Sequence, residues 1–329
     1  MRQETAGGDA EPRHPGLDEL VAIVRGNPAM GQKASIAMVR DAFGAGDWLS
    51  GPGDDGAVVD AGGTGVVLCG EAVFPPFVER DPYGAGVAAV LTNVNDIAAM
   101  GGVPLAIVDT VTGDDAHCRA MLDGMRYASD LYRVPVVGGH LSVTAGPPSL
   151  SAFAMGTCPT PLSATAARPG HHLALLACLE GRMRDDFAFF RSFDERGRQL
   201  ADDIRFLSFL AGAGICKAAK DVSMAGLIGS LAMLLEPSGC GVTIDVDAIA
   251  HPAGVTLERW LVCFPCYAFL VCLPAGQVGP CRSATTAQGL TLAPLGALDG
   301  SGHIRLRDGD HQATVFDVGV EDITGLRPR

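Results

Sequence analysis

The chain has 329 residues, of which 48% are hydrophobic and 19% charged, and its formal net charge is −13. This composition is typical of a globular protein with about two domains, and it excludes a disordered chain. The negative charge disfavours nucleic acid and anionic membrane surfaces as partners, because neither would meet a basic field.

Three further features point to the cytoplasm. No apolar run reaches the roughly 18 residues of a membrane-spanning helix. Residues 1–16 lack the apolar core of a signal peptide and are predicted to form a flexible tail. Most of the ten cysteines lie inside hydrophobic runs, which is typical of buried thiols in a reducing compartment.

The first half of the chain alternates between helical and strand patterns. Apolar spacing predicts helices over residues 17–24, 35–43, 83–100 and 116–131, and strands over 66–69, 105–111 and 134–137, the last leading into a glycine turn. The alternation predicts a mixed α/β domain over residues 17–160.

A second domain is predicted over residues 161–329, after a proline-containing linker at 158–170. Its elements are strands over 172–178, 242–246, 266–273 and 304–306, and a helix over 204–210.

Four short polar loops lie next to glycine and to hydrophobic runs. They are GPGDDGAVVD at 51–60, TNVNDIAAMGG at 92–102, VVGGHLSV at 136–143 and KDVSMAGL at 220–227. Because each adjoins a Val-, Leu- or Ala-rich segment, the four stretches can converge on one cleft.

The carboxylates of these loops suit a magnesium ion that presents nucleotide phosphates, since Mg²⁺ prefers hard oxygen ligands. They are Asp54, Asp55, Asp96 and Asp221. Each loop also has an ordinary interpretation. Asp-Asp-Gly is a common solvated turn, and the segment with Asp96 is compatible with a helix that ends at a glycine cap.

In this order and spacing, the four loops resemble the AIR-synthase-like superfamily, which includes selenophosphate synthetase and thiamine-monophosphate kinase. The resemblance extends from about residue 28 to the C-terminus. It implies a two-domain PurM-like α/β (α+β) architecture, with an N-terminal domain that pairs across a homodimer and a C-terminal α/β sandwich. It also implies that ATP and Mg²⁺ bind where the domains meet. The overall pattern is most similar to an uncharacterised AIR-synthase-related branch found in bacterial gene clusters alongside a nitrilase.

The resemblance assigns residues to roles. Asp54, Asp55, Asp96 and Asp221 match metal-binding acids of the superfamily, and Glu71 falls where many relatives have an aspartate. Candidate nucleotide contacts are Asn93, Asn95, Gly138, Gly139 and His140. The alternative for His140 is a turn residue hydrogen-bonded to backbone.

Three cations are candidates for catalysis or substrate binding. Lys33 matches a lysine that selenophosphate synthetases use near the phosphates, although a lone lysine before a helix is also typical of solvated surface. Arg182 and Arg184 can hold a carboxylate or phosphate, or pair with Glu180, Asp185 or Asp186 at the surface. Met30 occupies the position where selenophosphate synthetases commonly have cysteine or selenocysteine, which argues against selenide chemistry in this chain because a thioether cannot be that nucleophile.

These observations predict an ATP- and Mg²⁺-dependent synthase, ligase or phosphotransferase. The enzyme is expected to activate an amide, carboxyl or phosphate oxygen of a small nitrogenous metabolite by phosphoryl transfer. Two alternatives remain open: a small-molecule kinase and a non-catalytic nucleotide-binding partner protein. The expected partners are a second copy of the chain and a small-molecule substrate.

Overall fold

The computed structural model describes residues 14–44 and 53–326. Most of the predicted tail and the first two residues of the GPGDDG loop lie outside these ranges. No helix in the described ranges is long and apolar enough to cross a membrane.

The first half of the described chain forms six helices and a five-stranded sheet of order β1-β2-β5-β3-β4. The helices are α1 (Leu17–Arg25), α2 (Pro28–Lys33), α3 (Ala37–Phe43), α4 (Pro75–Arg80), α5 (Pro82–Ala99) and α6 (Asp115–Tyr132). The strands are β1 (Ala57–Asp60), β2 (Gly65–Ala72), β3 (Val103–Gly113), β4 (Val136–Val143) and β5 (Ser149–Thr157).

The second half forms a seven-stranded sheet of order β15-β14-β10-β13-β6-β12-β9 and a small sheet of order β11-β8-β7. The helices are α7 (Phe193–Arg196), α8 (Leu200–Gly212), α9 (Gly226–Leu235), α10 (Leu257–Leu261) and α11 (Val278–Ala287). The strands are β6 (His172–Ala177), β7 (Arg182–Met183), β8 (Phe189–Arg191), β9 (Ala218–Asp221), β10 (Gly241–Asp245), β11 (Phe264–Pro265), β12 (Ala268–Leu273), β13 (Thr291–Asp299), β14 (His303–Asp308) and β15 (His311–Asp317).

The predicted α/β fold class is confirmed, and most predicted elements match within a few residues. Two local predictions differ. Residues 138–140, expected in a turn, lie inside β4, because this segment pairs in parallel with β3. The helix expected over 35–43 is split into a 3₁₀ turn, Ala34–Ile36, followed by α3.

The two large sheets are packed together through the helices between them. One hydrophobic cluster joins α5, α6 and α8 to one face of β6 and β12. A second cluster covers the other face of these strands with α1 and α9. Leu20 and Val24 belong to this second cluster, so α1 packs with the C-terminal sheet although it precedes the N-terminal one.

The first sheet has a helix-covered face and an open face. On the covered face, alternate residues such as Val67, Ile107 and Ala154 are fully or almost fully buried. On the open face, Leu68 pairs with Met155 and Val108 pairs with Phe153. These four side chains are 42–47% exposed, so the open face is apolar.

Helix α5 is fixed against α6 by a close contact between glycines. A Cβ on Gly86 would lie 2.0 Å from the carbonyl oxygen of Met121, and a Cβ on Gly124 would lie 2.1 Å from that of Tyr83. Because the obstructing atoms are backbone, neither position has room for a side chain. This contact sets the position of α5, which carries Asp96.

We therefore expect Gly86→Ala to destabilise the protein by about 1–3 kcal/mol, as overpacking usually does, although alanine is the better helix former. The matched control is Gly279→Ala in α11, where a Cβ meets nothing within 4 Å; we expect it to be neutral or to stabilise by up to about 1 kcal/mol. Urea unfolding measures both. Equal stability of the two variants would contradict the close helix contact.

Candidate metal and nucleotide site

Three carboxylates from separate parts of the chain meet where the two sheets pack together. Asp55 lies just before β1, Asp96 lies in the buried helix α5, and Asp221 is the last residue of β9. One carboxylate oxygen from each can be chosen so that all three lie within 4.8 Å of one another. We call this group the acid triad.

Lys220 supplies a positive charge next to the acid triad. Its ammonium group donates to Asp55 and lies 3.3 Å from Oδ1 of Asp221. The backbone N–H of Asp221 also donates to Asp55, at 3.1 Å. The side chains of Lys220, Asp55 and Asp221 are each only 5–6% exposed. Three carboxylates and one ammonium leave this buried group with a formal charge of −2 when all are ionised.

The pKa values reflect this concentration of charge. Burial raises the pKa of Asp96 well above its usual range, and the charges of Asp221 and Asp55 raise it further. Burial also raises the pKa of Asp55 to about 7, although Lys220 counteracts the shift. For Lys220, burial lowers the pKa, but the adjacent carboxylates outweigh burial and the net shift is upward.

The acid triad fits a Mg²⁺ ion by ligand chemistry and by charge. Mg²⁺ binds oxygen at about 2.0–2.1 Å, so opposite ligands lie about 4.2 Å apart. The three carboxylate oxygens lie within 4.8 Å of one another, so only a small adjustment is needed for all of them to bind one ion. A divalent cation would also neutralise the formal charge of −2. Asp55, Asp96 and Asp221 are therefore the residues suited to hold the metal.

The acid triad opens into a cavity of about 530 Å³ between the two halves of the chain, which we call the acid cavity. Lys33 and Glu71 line it beside the triad. Burial raises the pKa of Glu71, and the charge of Lys33 opposes this shift. Glu71 lies outside the triad, but its charge contributes to the raised pKa of Asp96.

Asp54, the neighbour of Asp55, is held by other contacts. One of its carboxylate oxygens accepts a hydrogen bond from the Ser163 hydroxyl at 2.7 Å, and the other accepts from the Ala164 N–H at 2.7 Å. Asp54 thus connects the loop before β1 to the segment of chain between β5 and β6. It borders the acid cavity, but both of its oxygens already have protein donors.

The two asparagines of α5 are buried and hydrogen-bonded inside the protein. Asn93 donates to the carbonyl oxygen of Ala89 at 2.8 Å and to that of Ala152 at 3.3 Å. Asn95 donates to the carbonyl oxygen of Cys266 at 3.2 Å, which connects the first domain to the second. Neither asparagine lines the acid cavity.

Residues 138–140 lie away from the acid cavity within one chain. Gly139 is on the same rung of the sheet as Glu71, but three strand spacings separate them. At about 4.8 Å per spacing, that distance is roughly 14 Å. The imidazole of His140 is exposed and lies 3.2 Å from the Ser142 hydroxyl.

The predicted arginines occupy two different environments. Arg182 is exposed, 3.8 Å from Glu195, and lines neither the acid cavity nor the larger cavity beside it. Arg184 lines that larger cavity and pairs with Asp81 and Asp186, both at 3.0 Å. Its guanidinium group is therefore already neutralised by protein carboxylates.

Comparisons with known proteins connect this geometry to a family. The family profile "AIR synthase related protein, N-terminal domain" matches residues 53–158, and the corresponding C-terminal profile matches 191–309. An uncharacterised protein of Synechocystis sp. is 32% identical over 277 residues, which cover 83% of this chain and 86% of that protein. The chain belongs to the AIR synthase related family.

More distant members of the family have names that state an activity. Selenide, water dikinase of Escherichia coli is 28% identical over 61% of each chain. The phosphoribosylformylglycinamidine synthase subunit PurL of Natronomonas pharaonis is 28% identical over 63% of this chain, which spans only 31% of that subunit.

Solved structures show that the fold is shared. PurL of T. maritima complexed with ADP superposes with a TM-score of 0.71 at 16% identity, over 82% of this chain and 46% of PurL. ThiL complexed with AMPPCP and TMP superposes with a TM-score of 0.65 at 17% identity, over 86% of this chain and 96% of ThiL. The predicted PurM-like architecture is thereby confirmed.

The sequence patterns did not identify Lys220 as a residue of the candidate site. The signal was present, because Lys220 is the first residue of the KDVSMAGL loop and directly precedes the candidate ligand Asp221. Met30, by contrast, packs on α9: a Cβ on Gly229 would lie 2.5 Å from its sulfur. Its thioether is a packing group and does not line the acid cavity.

We expect Asp96→Asn to stabilise the metal-free protein at pH 8 by about 1–2 kcal/mol, within the usual range for one substitution. Burial raises the pKa of Asp96 well above its usual range, so at every pH above the usual carboxyl pKa the folded state loses stability relative to the unfolded state, in which the group ionises freely. Asparagine removes this cost because it does not ionise. Thermal unfolding with and without Mg²⁺ measures the effect. Mg²⁺ should raise the Tm of the wild type and of the exposed control Asp130→Asn, but not that of Asp96→Asn. If Mg²⁺ raises the Tm of Asp96→Asn as much as that of the wild type, Asp96 is not a metal ligand.

Proposed function

We propose that this chain is an ATP- and Mg²⁺-dependent enzyme that transfers a phosphoryl group to an amide, carboxyl or phosphate oxygen of a small nitrogenous metabolite. The observation that carries the proposal is the acid triad, with its formal charge of −2, at the wall of a cavity large enough for small-molecule ligands. The names of the relatives, a dikinase and a synthase subunit, and ThiL bound to AMPPCP give independent support.

Each charged residue of the acid cavity has a role in this proposal. Asp55, Asp96 and Asp221 hold Mg²⁺, which when bound neutralises phosphate charge. Lys33 is half-buried, lines the acid cavity and offers a compact cation to the transferring phosphoryl group. Lys220 keeps Asp55 and Asp221 together by its contacts with both.

The N-terminus of α9 supports phosphate binding beside the metal. Ser223 and Met224, in the turn before α9, line the acid cavity. The turn depends on Gly226, whose φ is +72° and whose Cβ would lie 2.2 Å from the carbonyl oxygen of Leu261. The positive end of a helix dipole attracts anions, so this turn is suited to lie beside a phosphate.

In the proposed function, residues 138–140 contribute to the nucleotide site of the partner chain in a homodimer. They lie on the edge strand of the first sheet, roughly three strand spacings from the acid cavity of their own chain. The adjoining open face is apolar at Leu68, Val108, Phe153 and Met155. We propose that two chains pair over this face, which brings residues 138–140 of one chain towards the nucleotide of the other.

Two alternatives share the acid triad. A small-molecule kinase would release a stable phosphorylated product, whereas a synthase would consume a phosphorylated intermediate and release inorganic phosphate. A non-catalytic nucleotide-binding protein would bind ATP without turnover. Phosphate release and product mass in a screen of amides and nitrile-derived compounds distinguish the three.

Calorimetric titration with ATP tests the proposal before any substrate is known. We expect binding that requires Mg²⁺ in the wild type and in Asp130→Asn, and a loss of at least about tenfold in Asp221→Asn, because metal ligands dominate the site's affinity for phosphates. Absence of ATP binding with and without Mg²⁺ would overturn the proposal. Binding without turnover of any screened compound would favour the non-catalytic alternative.

The proposed dimer is tested by Phe153→Asp. Phe153 is 47% exposed at the centre of the open face, so a charge there should separate the two chains without disturbing the core. Light scattering should give a dimer for the wild type and a monomer for Phe153→Asp. The control is Val320→Asp, which is 71% exposed elsewhere on the surface. A wild-type monomer, or a dimer that tolerates Phe153→Asp, would exclude pairing over this face.

A further inference from the structure

A second and larger cavity adjoins the acid cavity. It has a volume of about 850 Å³ and lies between α5 and α6 of the first domain and residues 183–194 of the second. The chain contains 13 Phe, 4 Tyr and 2 Trp, and seven of these aromatic residues line this one cavity. We call it the aromatic cavity.

Five of the rings form a continuous series along the cavity. Tyr83 lies 6.3 Å from Tyr127 and Tyr127 lies 6.3 Å from Phe193, measured between ring centroids. Phe193 lies 6.0 Å from Phe189, which lies 5.4 Å from Phe264. Ring faces carry partial negative charge, so a cavity with this lining attracts cations as well as apolar groups.

The formal charges of the lining also favour a cation. Four aspartates and two arginines line the aromatic cavity. Arg184 is neutralised by Asp81 and Asp186. Among the described residues, Asp185 and Asp194 form no ion pair, and their charges exceed that of Arg191, the remaining arginine.

The protein already uses this arrangement for one of its own cations. The guanidinium carbon of Arg184 lies 5.9 Å from the centroid of the Phe77 ring. Phe77 in turn stacks on Phe187, with centroids 5.9 Å apart and planes at 19°. Both rings line the aromatic cavity and the acid cavity, so the pair forms a shared wall that Arg184 holds in place.

We propose that the aromatic cavity binds the substrate of the proposed phosphoryl transfer as an organic cation, an amine or quaternary ammonium group on a small apolar or planar body. The inference rests on the proposed function for the reaction, and on the lining of the aromatic cavity for the ligand class. The cationic group is the part that is recognised, held by the rings and by Asp185 and Asp194. The reacting oxygen extends past the Phe77–Phe187 wall towards the acid triad. Arg184 is a positioning residue of that wall.

Three probes of similar size and different charge test the ligand class: benzyltrimethylammonium, benzyl alcohol and benzoate. Calorimetric titration is done without ATP and Mg²⁺, so that the outcome does not depend on the metal site. We expect the ammonium probe to bind about tenfold or more tightly than benzoate, with benzyl alcohol between them. Equal or tighter binding of benzoate would overturn the proposal.

Two surface variants locate the binding site. Tyr127→Leu removes a ring that is 38% exposed, and Asp194→Asn removes an exposed charge, so both should fold. Each should weaken binding of the ammonium probe by about three- to tenfold, whereas the exposed control Asp310→Asn should not change it. Unchanged binding in both variants would place the cation elsewhere and overturn the assignment.

Two further results separate this inference from the proposed function. Asp96→Asn should lose Mg-ATP binding but keep the ammonium probe, because Asp96 lines only the acid cavity. Adenosine should not displace the probe; displacement would assign the aromatic cavity to the nucleotide base and overturn the proposal. If the wild type binds Mg-ATP but not the ammonium probe, the proposed substrate class is wrong and the proposed reaction stands. If it binds the probe but not Mg-ATP, the proposed reaction is wrong and the ligand class of the aromatic cavity stands.

Discussion

The mutual repulsion of three buried carboxylates is the constraint on which the candidate site depends. Carboxylate oxygens of Asp55, Asp96 and Asp221 lie within 4.8 Å of one another, and because these side chains are almost fully buried, their like charges interact strongly. The protein holds them there by rigid means: an α5 helix locked to α6 by glycine contacts, a backbone N–H donated to Asp55, and the Lys220 ammonium. The remaining negative charge is what makes the cluster suited to a divalent cation.

The site also explains why both halves of the chain are needed. Asp55 and Asp96 belong to the first sheet and its helix, whereas Asp221 and Lys220 belong to the last strand of the second sheet. The interdomain core formed by α5, α6, α8 and β12 fixes the separation of these groups. Neither domain alone would bring the three carboxylates together.

The two neighbouring cavities differ in chemistry in a way that suits two ligands. The acid cavity contains the concentrated charge and the helix N-terminus, which are suited to metal and phosphate. The aromatic cavity contains rings together with Asp185 and Asp194, which form no ion pair within the described part of the chain, and this lining is suited to an organic cation. Their shared wall, Phe77 stacked on Phe187, places the two ligand types side by side. Arg184, which the sequence offered either as a ligand for an anion or as a partner of nearby carboxylates, pairs with Asp81 and Asp186 beside this wall.

The sequence by itself determined the fold class and the family, because loop motifs and apolar periodicity are local properties of the chain. It also offered five metal-ligand candidates: Asp54, Asp55, Glu71, Asp96 and Asp221. It could not separate Asp54 from Asp55, which are adjacent and chemically identical. Only the tertiary structure decided that Asp54 is held by Ser163 and Ala164 while Asp55 faces Lys220. The aromatic cavity could likewise not be predicted from the sequence, because its rings come from four separate segments between residues 77 and 264. Such sites depend on which side chains packing brings together, and that is a non-local property of the fold.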